Sequence, residues 1–312
     1  MERNIVVTGG AGFIGSSLVE ELLKENNVTV IDNLFTGKMK NISDFMNHEN
    51  FKFYRADILD LEFLKKILED TDYIFHLAAI PSVKRSMENP EATNEVNIKG
   101  TLNVLRAATN SSVKKLIFAS SSSVYGDSKI LPKKEDFPPN PKSFYAVSKL
   151  VGELYCKIFN DLYGLRTVCL RYFNVYGPKQ DFKSDYAAVI PKFIKHILEN
   201  KKLVIYGDGS QTRDFTFVKD VVNANILAMK KNNITGVFNI ARGNNISINE
   251  IAMLISEYLN KNIEIVYADP RSGDVKHSLA DIQRAKKYLG YMPQYSIKKG
   301  LKVTIEWYLS HL

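Results

Sequence analysis

The chain has 312 residues, with 42 Lys and Arg against 34 Asp and Glu, for a formal net charge of +8. Hydrophobic residues at 45% and charged residues at 24% are close to globular averages, which excludes a disordered chain, a collagen-like fibre and a coiled coil. No stretch approaches the ~18 apolar residues of a membrane span, and Met1-Glu2-Arg3-Asn4 leads into a strand-like segment without the apolar core of a signal peptide.

Asn4 to Thr8 is short and β-branched, which predicts a strand. Phe13 to Lys24 carries Phe13, Ile14, Leu18, Leu22 and Leu23 at helical spacing. Val28 to Ile31, Phe51 to Tyr54 and Tyr73 to His76 predict further strands, and Leu61, Leu64, Ile67 and Leu68 mark a helix among them. Val96 to Ala108 reads as a helix, Lys115 to Ala119 as the fifth strand, Phe144 to Tyr163 as a long helix and Thr167 to Tyr172 as the next strand. Strands alternating with helices predict an α/β fold: a doubly wound, parallel Rossmann sheet covered on both faces. After about residue 175 the rhythm changes, and Pro178, Gly207, Gly209, Gly236 and Gly243 punctuate the shorter elements of a smaller C-terminal α/β lobe. The expected division is a dinucleotide-binding domain of residues 1–175, with 216–242 returning to it, and a second lobe of residues 176–215 and 243–312.

Cys156 and Cys169 lack the paired spacing of a zinc site. They read as reduced thiols of a cytoplasmic protein, and no metal is expected. The lysines are scattered, with pairs such as Lys133-Lys134 and Lys286-Lys287 at loops or helix ends. The charge therefore reads as a lysine-rich surface, with neither a nucleic-acid nor a membrane partner.

Gly9, Gly12 and Gly15 are spaced G-x-x-G-x-x-G between the first strand and the first helix. Glycine there permits a tight turn, close approach of a pyrophosphate and close helix–strand packing, while the helix N-terminus attracts negative charge. Asp32 ends the second strand 17 residues past Gly15, where an acid accepts from the ribose 2′-OH of NAD and repels the 2′-phosphate of NADP. NAD is therefore the expected cofactor. Asp57 follows the third strand, and its spacing suits either an adenine contact or a helix N-cap.

Y-x-x-x-K occurs as Tyr125/Lys129, Tyr145/Lys149 and Tyr295/Lys299. Tyr145 begins a long helix after Pro139 and Pro141, and follows the serine run Ser120 to Ser123 at the C-terminal end of the fifth strand. Ligands bind at that edge of such sheets, which singles out Tyr145. Taking hydride from a carbinol carbon requires that its hydroxyl lose a proton. Free tyrosine, with a pKa of about 10, needs help to accept it. A neighbouring Lys149 ammonium and a positively charged nicotinamide are expected to lower that pKa, making Tyr145 the general base and a serine the positioning donor.

With these residues in view, the chain resembles the extended short-chain dehydrogenases/reductases, within the nucleotide-sugar 4-epimerases and dehydratases. The carriers are TGGAGFIG at 8–15, DN at 32–33, HLAA at 76–79, SSSSVYGD at 120–127, YAVSK at 145–149, RYFNVYGP at 171–178, GDGSQTRDF at 207–215 and RSGDVKHSLAD at 271–281. The resemblance implies Ser121, Tyr145 and Lys149 as the catalytic set. It adds Phe13, Ile14, Asn33, Asp57, Ile58, Leu77, Ala78, Ala79, Asn97 and Tyr172, with Tyr145 and Lys149, to the glycines and Asp32 around the cofactor. Dehydratases of the family carry Asp and Glu where this chain has Ser122 and Ser123, which argues against water elimination. The Thr-Ser-Glu run of the uronate decarboxylases is absent as well.

By the same resemblance, Asn174, Arg213 and Arg271 hold the substrate diphosphate, Asp274 holds the nucleoside ribose, and Ser82, Ser121, Ser122 and Tyr145 face the sugar. Ser278 stands where epimerases restricted to glucose and galactose carry a bulky Tyr. A small side chain leaves room for a 2-acetamido group, so the implied substrates are UDP-GlcNAc and UDP-GalNAc, with UDP-Glc and UDP-Gal as a second pair. A UDP-glucose 4-epimerase proper, a dehydratase or decarboxylase, and a non-catalytic NAD-binding regulator are the alternatives. The helices 96–108 and 144–163 resemble those that pair two protomers in this family, so a homodimer is expected.

Overall fold

The computed structural model describes residues 2–182, 187–270 and 275–311. Seven strands form one parallel sheet: β1 (Asn4–Thr8), β2 (Asn27–Ile31), β3 (Phe51–Tyr54), β4 (Tyr73–His76), β5 (Lys115–Ser121), β6 (Thr167–Tyr172) and, later in the chain, β11 (Gly236–Ile240). Their order is β11-β6-β5-β4-β1-β2-β3, all parallel. The order reverses between β1 and β4, and the crevice at such a switch point is where these sheets take ligands.

Side chains alternate across the strands, so one sequence feeds two cores. Ile5, Val7, Val28 and Val30 pack with Leu18, Val19 and Leu22 of α1 (Phe13–Leu22) on one face. Val6, Ile31, Ile74 and Leu116 pack on the other with Leu64 and Leu68 of α2 (Leu61–Leu68). The short helices α3 (Val83–Glu88) and α4 (Pro90–Asn94) lead through a π-helical segment, Glu95–Gly100, into α5 (Thr101–Thr109), whose Val104 and Leu105 join that second core. The helix expected over 96–108 therefore sits in a longer helical run, started by Asn89 as cap and Pro90 in the first turn.

The long helix α6 (Phe144–Tyr163) is capped by Ser143, which accepts from the N–H of Ala146 at 3.1 Å, and stopped by Gly164 at φ 71°. Beneath it Arg171 donates to Glu153 from Nε at 2.8 Å and from Nη2 at 2.7 Å, and Ser120 also donates to that carboxylate. This buried pair locks α6 onto β5 and β6 beside the sheet's C-terminal edge.

The later described elements include short strands and four α-helices. The strands β7 (Val175–Tyr176), β8 (Leu203–Tyr206), β9 (Thr212–Arg213), β10 (Thr216–Phe217), β12 (Ile246–Ser247) and β13 (Ile265–Ala268) pair as β7 with β10, β9 with β12 and β8 with β13. Helix α8 (Val218–Lys230) packs on the main sheet through Val221 and Ala228. Helices α7 (Val189–Leu198), α9 (Ile248–Leu259) and α10 (Ile297–His311) build a separate core around Ile194, Ile251 and Ile305. No described helix is long and apolar enough to cross a membrane.

Candidate active site

Two clefts, of about 680 and about 720 Å³, open at the C-terminal edge of the sheet. Both are lined by Ile14, Ser82, Ser120, Tyr145, Tyr172 and Ala188, so Tyr145 stands where they meet.

The first cleft is built on the glycine turn. Gly9 has φ +74°, and a Cβ there would lie 2.7 Å from the backbone nitrogen of Ala78. A Cβ at Gly15 would lie 2.2 Å from the carbonyl oxygen of Gly9. Those two glycines are demanded by the chain's own packing. At Gly12, the N-cap of α1, a Cβ would meet only the Gly9 oxygen, at 3.2 Å, and no side chain caps the helix. Open N–H groups beside a missing side chain form a cradle suited to a pyrophosphate.

Asp32 accepts from the N–H of Ala11 at 3.0 Å and of Leu34 at 2.8 Å. Burial pushes its pKa up, opposed by these two donors. The carboxylate thus ties the glycine turn to the end of β2 and still has lone pairs for a ribose. Lys38, the nearest cation on the chain, is paired with Asp181 at 2.8 Å, so it is already engaged where a 2′-phosphate would need it.

Asn33 donates to Asp57 at 2.7 Å, and the other Asp57 oxygen accepts from Leu59 at 2.9 Å. The cap of α2 is Asp60, which accepts from Phe63 at 3.0 Å, so Asp57 remains at the cleft with Ile58, Leu77, Ala78 and Ala79. Asn97 is buried, where its side chain bonds to Ile80 and Ser148. Tyr172 lines both, but its hydroxyl is committed to Asn225 at 3.0 Å.

Ser121 ends β5, two residues beyond the expected strand end, and accepts from the N–H of Ser123 at 3.1 Å. Tyr145 lies in the first turn of α6, where the helix dipole favours a phenolate. Lys149, one turn on, donates to the carbonyl of Ala119 at 2.8 Å, with Nζ 4.9 Å from the Phe118 ring centroid and 5.9 Å from that of Tyr145.

The expected depression of the phenol pKa does not occur in the protein alone. Burial holds Tyr145 above its ordinary value, and the opposing pull comes from hydrogen bonding by Ser121. Burial also brings Lys149 down to about 8. The ammonium is spent on Ala119 and stands back from the phenol, so a further positive charge is needed to make the base.

The second cleft takes in Ser82, Ser121, Ser122, Asn174, Arg213 and Ser278. Asn174 has φ 33° and donates to the carbonyl of Asp214 at 3.2 Å. Arg213 is steadied by the carbonyls of Thr212 at 2.9 Å and Lys276 at 3.2 Å, and the N–H of Ser278 donates to Thr212 at 3.1 Å. Arg271 and Asp274 lie outside the described residues. Among the described residues no Asp or Glu lines this cleft.

Sequence reasoning missed several wall residues. Lys133, Lys142, Tyr206 and Gln211 line the second cleft, and Arg85, Gln180 and Asp181 the first. Ser123 also lines the second cleft, and its buried hydroxyl has no hydrogen-bond partner among the described residues. They arrive from distant segments and share no local spacing; of these, only Ser123 and Gln211 lie in motifs already singled out.

Residues 5–241 match the model of the NAD dependent epimerase/dehydratase family, and the chain belongs to that family. The family is NAD-dependent, and NAD is the cofactor. The structure of a UDP-N-acetylglucosamine 4-epimerase from Methanobrevibacter ruminantium M1, in complex with UDP-N-acetylmuramic acid, is 46% identical, with TM-score 0.96 over 100% of this chain and 99% of that one. That of a UDP-glucose 4-epimerase from Thermotoga maritima, with UDP-glucose, is 40% identical, with TM-score 0.94 over 99% of both. A UDP-glucuronate 4-epimerase of Thermodesulfobacterium geofontis is 40% identical over 312 residues, covering 97% of this chain and 95% of that protein.

Proposed function

We propose that this protein is a UDP-sugar 4-epimerase that interconverts UDP-GlcNAc and UDP-GalNAc, with UDP-Glc and UDP-Gal as a second pair. The observation that carries this reading is the position of Tyr145 between the two clefts, with Ser121 and Lys149 beside it. Similarity to UDP-sugar 4-epimerases over nearly the whole chain supports it.

The glycine turn and Asp32 would hold NAD in the first cleft, and the cofactor would supply a reversible hydride acceptor and a positive charge. Tyr145 takes the proton of the sugar 4-OH while Ser121 orients it. Lys149 supports the phenolate and the nicotinamide ribose. Arg213 and Arg271 hold the diphosphate through charge-assisted hydrogen bonds, and Asp274 holds the nucleoside ribose. The 4-keto hexose turns about that anchor and presents its other face. Tyr145 returns the proton to O4 as the cofactor would return its hydride to C4, and the net change is inversion.

Ser122 and Ser123 offer no carboxylic acid for eliminating water, and the described lining of the second cleft adds none. Ser278, small and at that cleft, leaves space for an acetamido group. In domain terms, residues 1–175 with 216–242 serve NAD, and 176–215 with 243–312 serve the nucleotide sugar.

We further propose a cytoplasmic homodimer. Phe144, Val147, Leu154, Ile158 and Leu162 form an exposed apolar stripe along α6, and Ile98 and Leu102 are half-buried on the helical run Glu95–Thr109. Leu154→Glu with Ile158→Glu should convert a dimer to a monomer by light scattering; an unchanged mass contradicts this interface.

The functional test is incubation of the purified protein with UDP-GlcNAc and no added cofactor. Appearance of UDP-GalNAc supports the reading. Release of water or CO₂, or stoichiometric release of NADH, contradicts it. Tyr145→Phe should abolish turnover and leave NAD bound.

A further inference from the structure

A buried hydrogen-bond chain runs behind the site, and none of the roles above uses it. Thr8, His76, Thr101, Asn97 and Ser148 are each at most 2% exposed. His76 ends β4, next to β1 at the point where the sheet order reverses. Its Nδ1 lies 2.7 Å from the Thr8 hydroxyl and its Nε2 2.9 Å from the Thr101 hydroxyl.

The direction of every bond follows from counting protons. Thr101 spends its hydroxyl hydrogen on the carbonyl of Asn97 at 2.6 Å. It can only accept from His76, so Nε2 carries the hydrogen. Nδ1 is then the acceptor, and Thr8 donates to it. Thr8 Oγ1 itself accepts from the N–H of Ala78 at 3.3 Å. Burial, with the Lys149 charge adding to it, takes the imidazole pKa down to about 3, consistent with a neutral ring.

The chain continues to the catalytic helix. Asn97 accepts from the N–H of Ile80 at 2.7 Å, donates to its carbonyl at 3.1 Å and donates to Ser148 at 3.1 Å. These bonds occupy both amide hydrogens, so Asn97 acts as a strut between the Ile80 backbone and Ser148. Ser148 donates to the backbone carbonyl of Tyr145 at 2.8 Å. The glycine turn, which begins at Thr8, is thereby joined to the backbone of Tyr145. The π-helical segment carries Asn97, and such segments recur at functional sites.

We propose that His76, neutral and protonated on Nε2, is a positioning residue that sets the first turn of α6 relative to the glycine turn through Thr101, Asn97 and Ser148. The proposal rests on the epimerase reading, in which Tyr145 must meet a sugar and a nicotinamide at once. An imidazolium would turn Nδ1 into a donor facing a hydroxyl already aimed at it and add a second cation near Lys149.

The test uses the intact protein and the nucleotide sugar it turns over. Thr101→Val removes the hydroxyl between His76 and Asn97, and kcat should fall about ten-fold, as misplacement of a reacting group does. KM and NAD content should stay at wild-type values, and Thr101→Ser should restore kcat. Ser148→Ala cuts the far end and should reproduce the loss, with the double variant no worse than either single one. ¹⁵N NMR should find His76 neutral with hydrogen on Nε2 from pH 5 to 9.

Wild-type kcat in Thr101→Val or Ser148→Ala, additive losses in the double variant, or a hydrogen on Nδ1 would overturn the proposal. If Thr101→Val does not fold, Ser148→Ala and the NMR measurement decide it. A wild-type protein inactive on every UDP-hexose would overturn the epimerase reading and the proposal with it. An active wild type with an unimpaired variant overturns the proposal alone.

Discussion

Lys149 donates from Nζ to the carbonyl oxygen of Ala119 at 2.8 Å, so the helix that carries Tyr145 is pinned by an ammonium to the strand that carries Ser121. In the proposed mechanism, the side chain that supports the cofactor also sets the spacing between base and hydroxyl.

This anchoring predicts an alkaline limit to activity. Burial lowers Lys149 to about 8, so the ammonium is present below that pH and lost above it. Activity should decline as pH rises through about 8, measured as kcat against pH. The sign for stability is opposite: between about 8 and 10.5 the unfolded chain binds the proton that the folded chain has released, so this group makes the fold more stable as pH rises. A kcat that stays level to pH 10 would contradict the role given to the ammonium.

Ser278 predicts a specificity change. Its backbone N–H is fixed on Thr212 at 3.1 Å, and its side chain borders the second cleft. Ser278→Tyr should reduce kcat/KM for UDP-GlcNAc by at least about ten-fold, as expected when a pocket no longer admits a substituent, and leave UDP-Glc close to wild type. Equal loss on both substrates would remove the assignment of an acetamido site.

The buried ion pair predicts a stability change. Glu153 and Arg171 are each 4% exposed at the side chain and share two hydrogen bonds. Glu153→Ala leaves a buried guanidinium without its partner and should cost about 3–5 kcal/mol in denaturant unfolding. A loss below about 1 kcal/mol would mean that water reaches Arg171 in the variant.

The sheet was legible because its signals are local: β-branched runs, helical spacing and a glycine turn between them. The same holds for Tyr145 and Lys149, four residues apart on one helix. What escaped depends on distant segments meeting. Asp57 and Asp60 both suit a helix start, and only the fold makes Asp60 the cap and pairs Asp57 with Asn33. The partners of Asn97, Ile80 and Ser148, lie 17 and 51 residues away in sequence, which no local spacing reveals. The expected depression of the phenol pKa rests on Lys149 together with a nicotinamide charge; in the protein alone burial, which spacing does not reveal, holds Tyr145 above its ordinary value.

The central claim is that hydride leaves C4 of the sugar and returns to it within one site served by Tyr145. The direct measurement is turnover of UDP-GlcNAc deuterated at C4, in ordinary water and without added cofactor, followed by NMR and mass spectrometry of the product. UDP-GalNAc that retains deuterium at C4 is the expected product. Product with hydrogen from solvent at C4, or a product that has lost water, would contradict it.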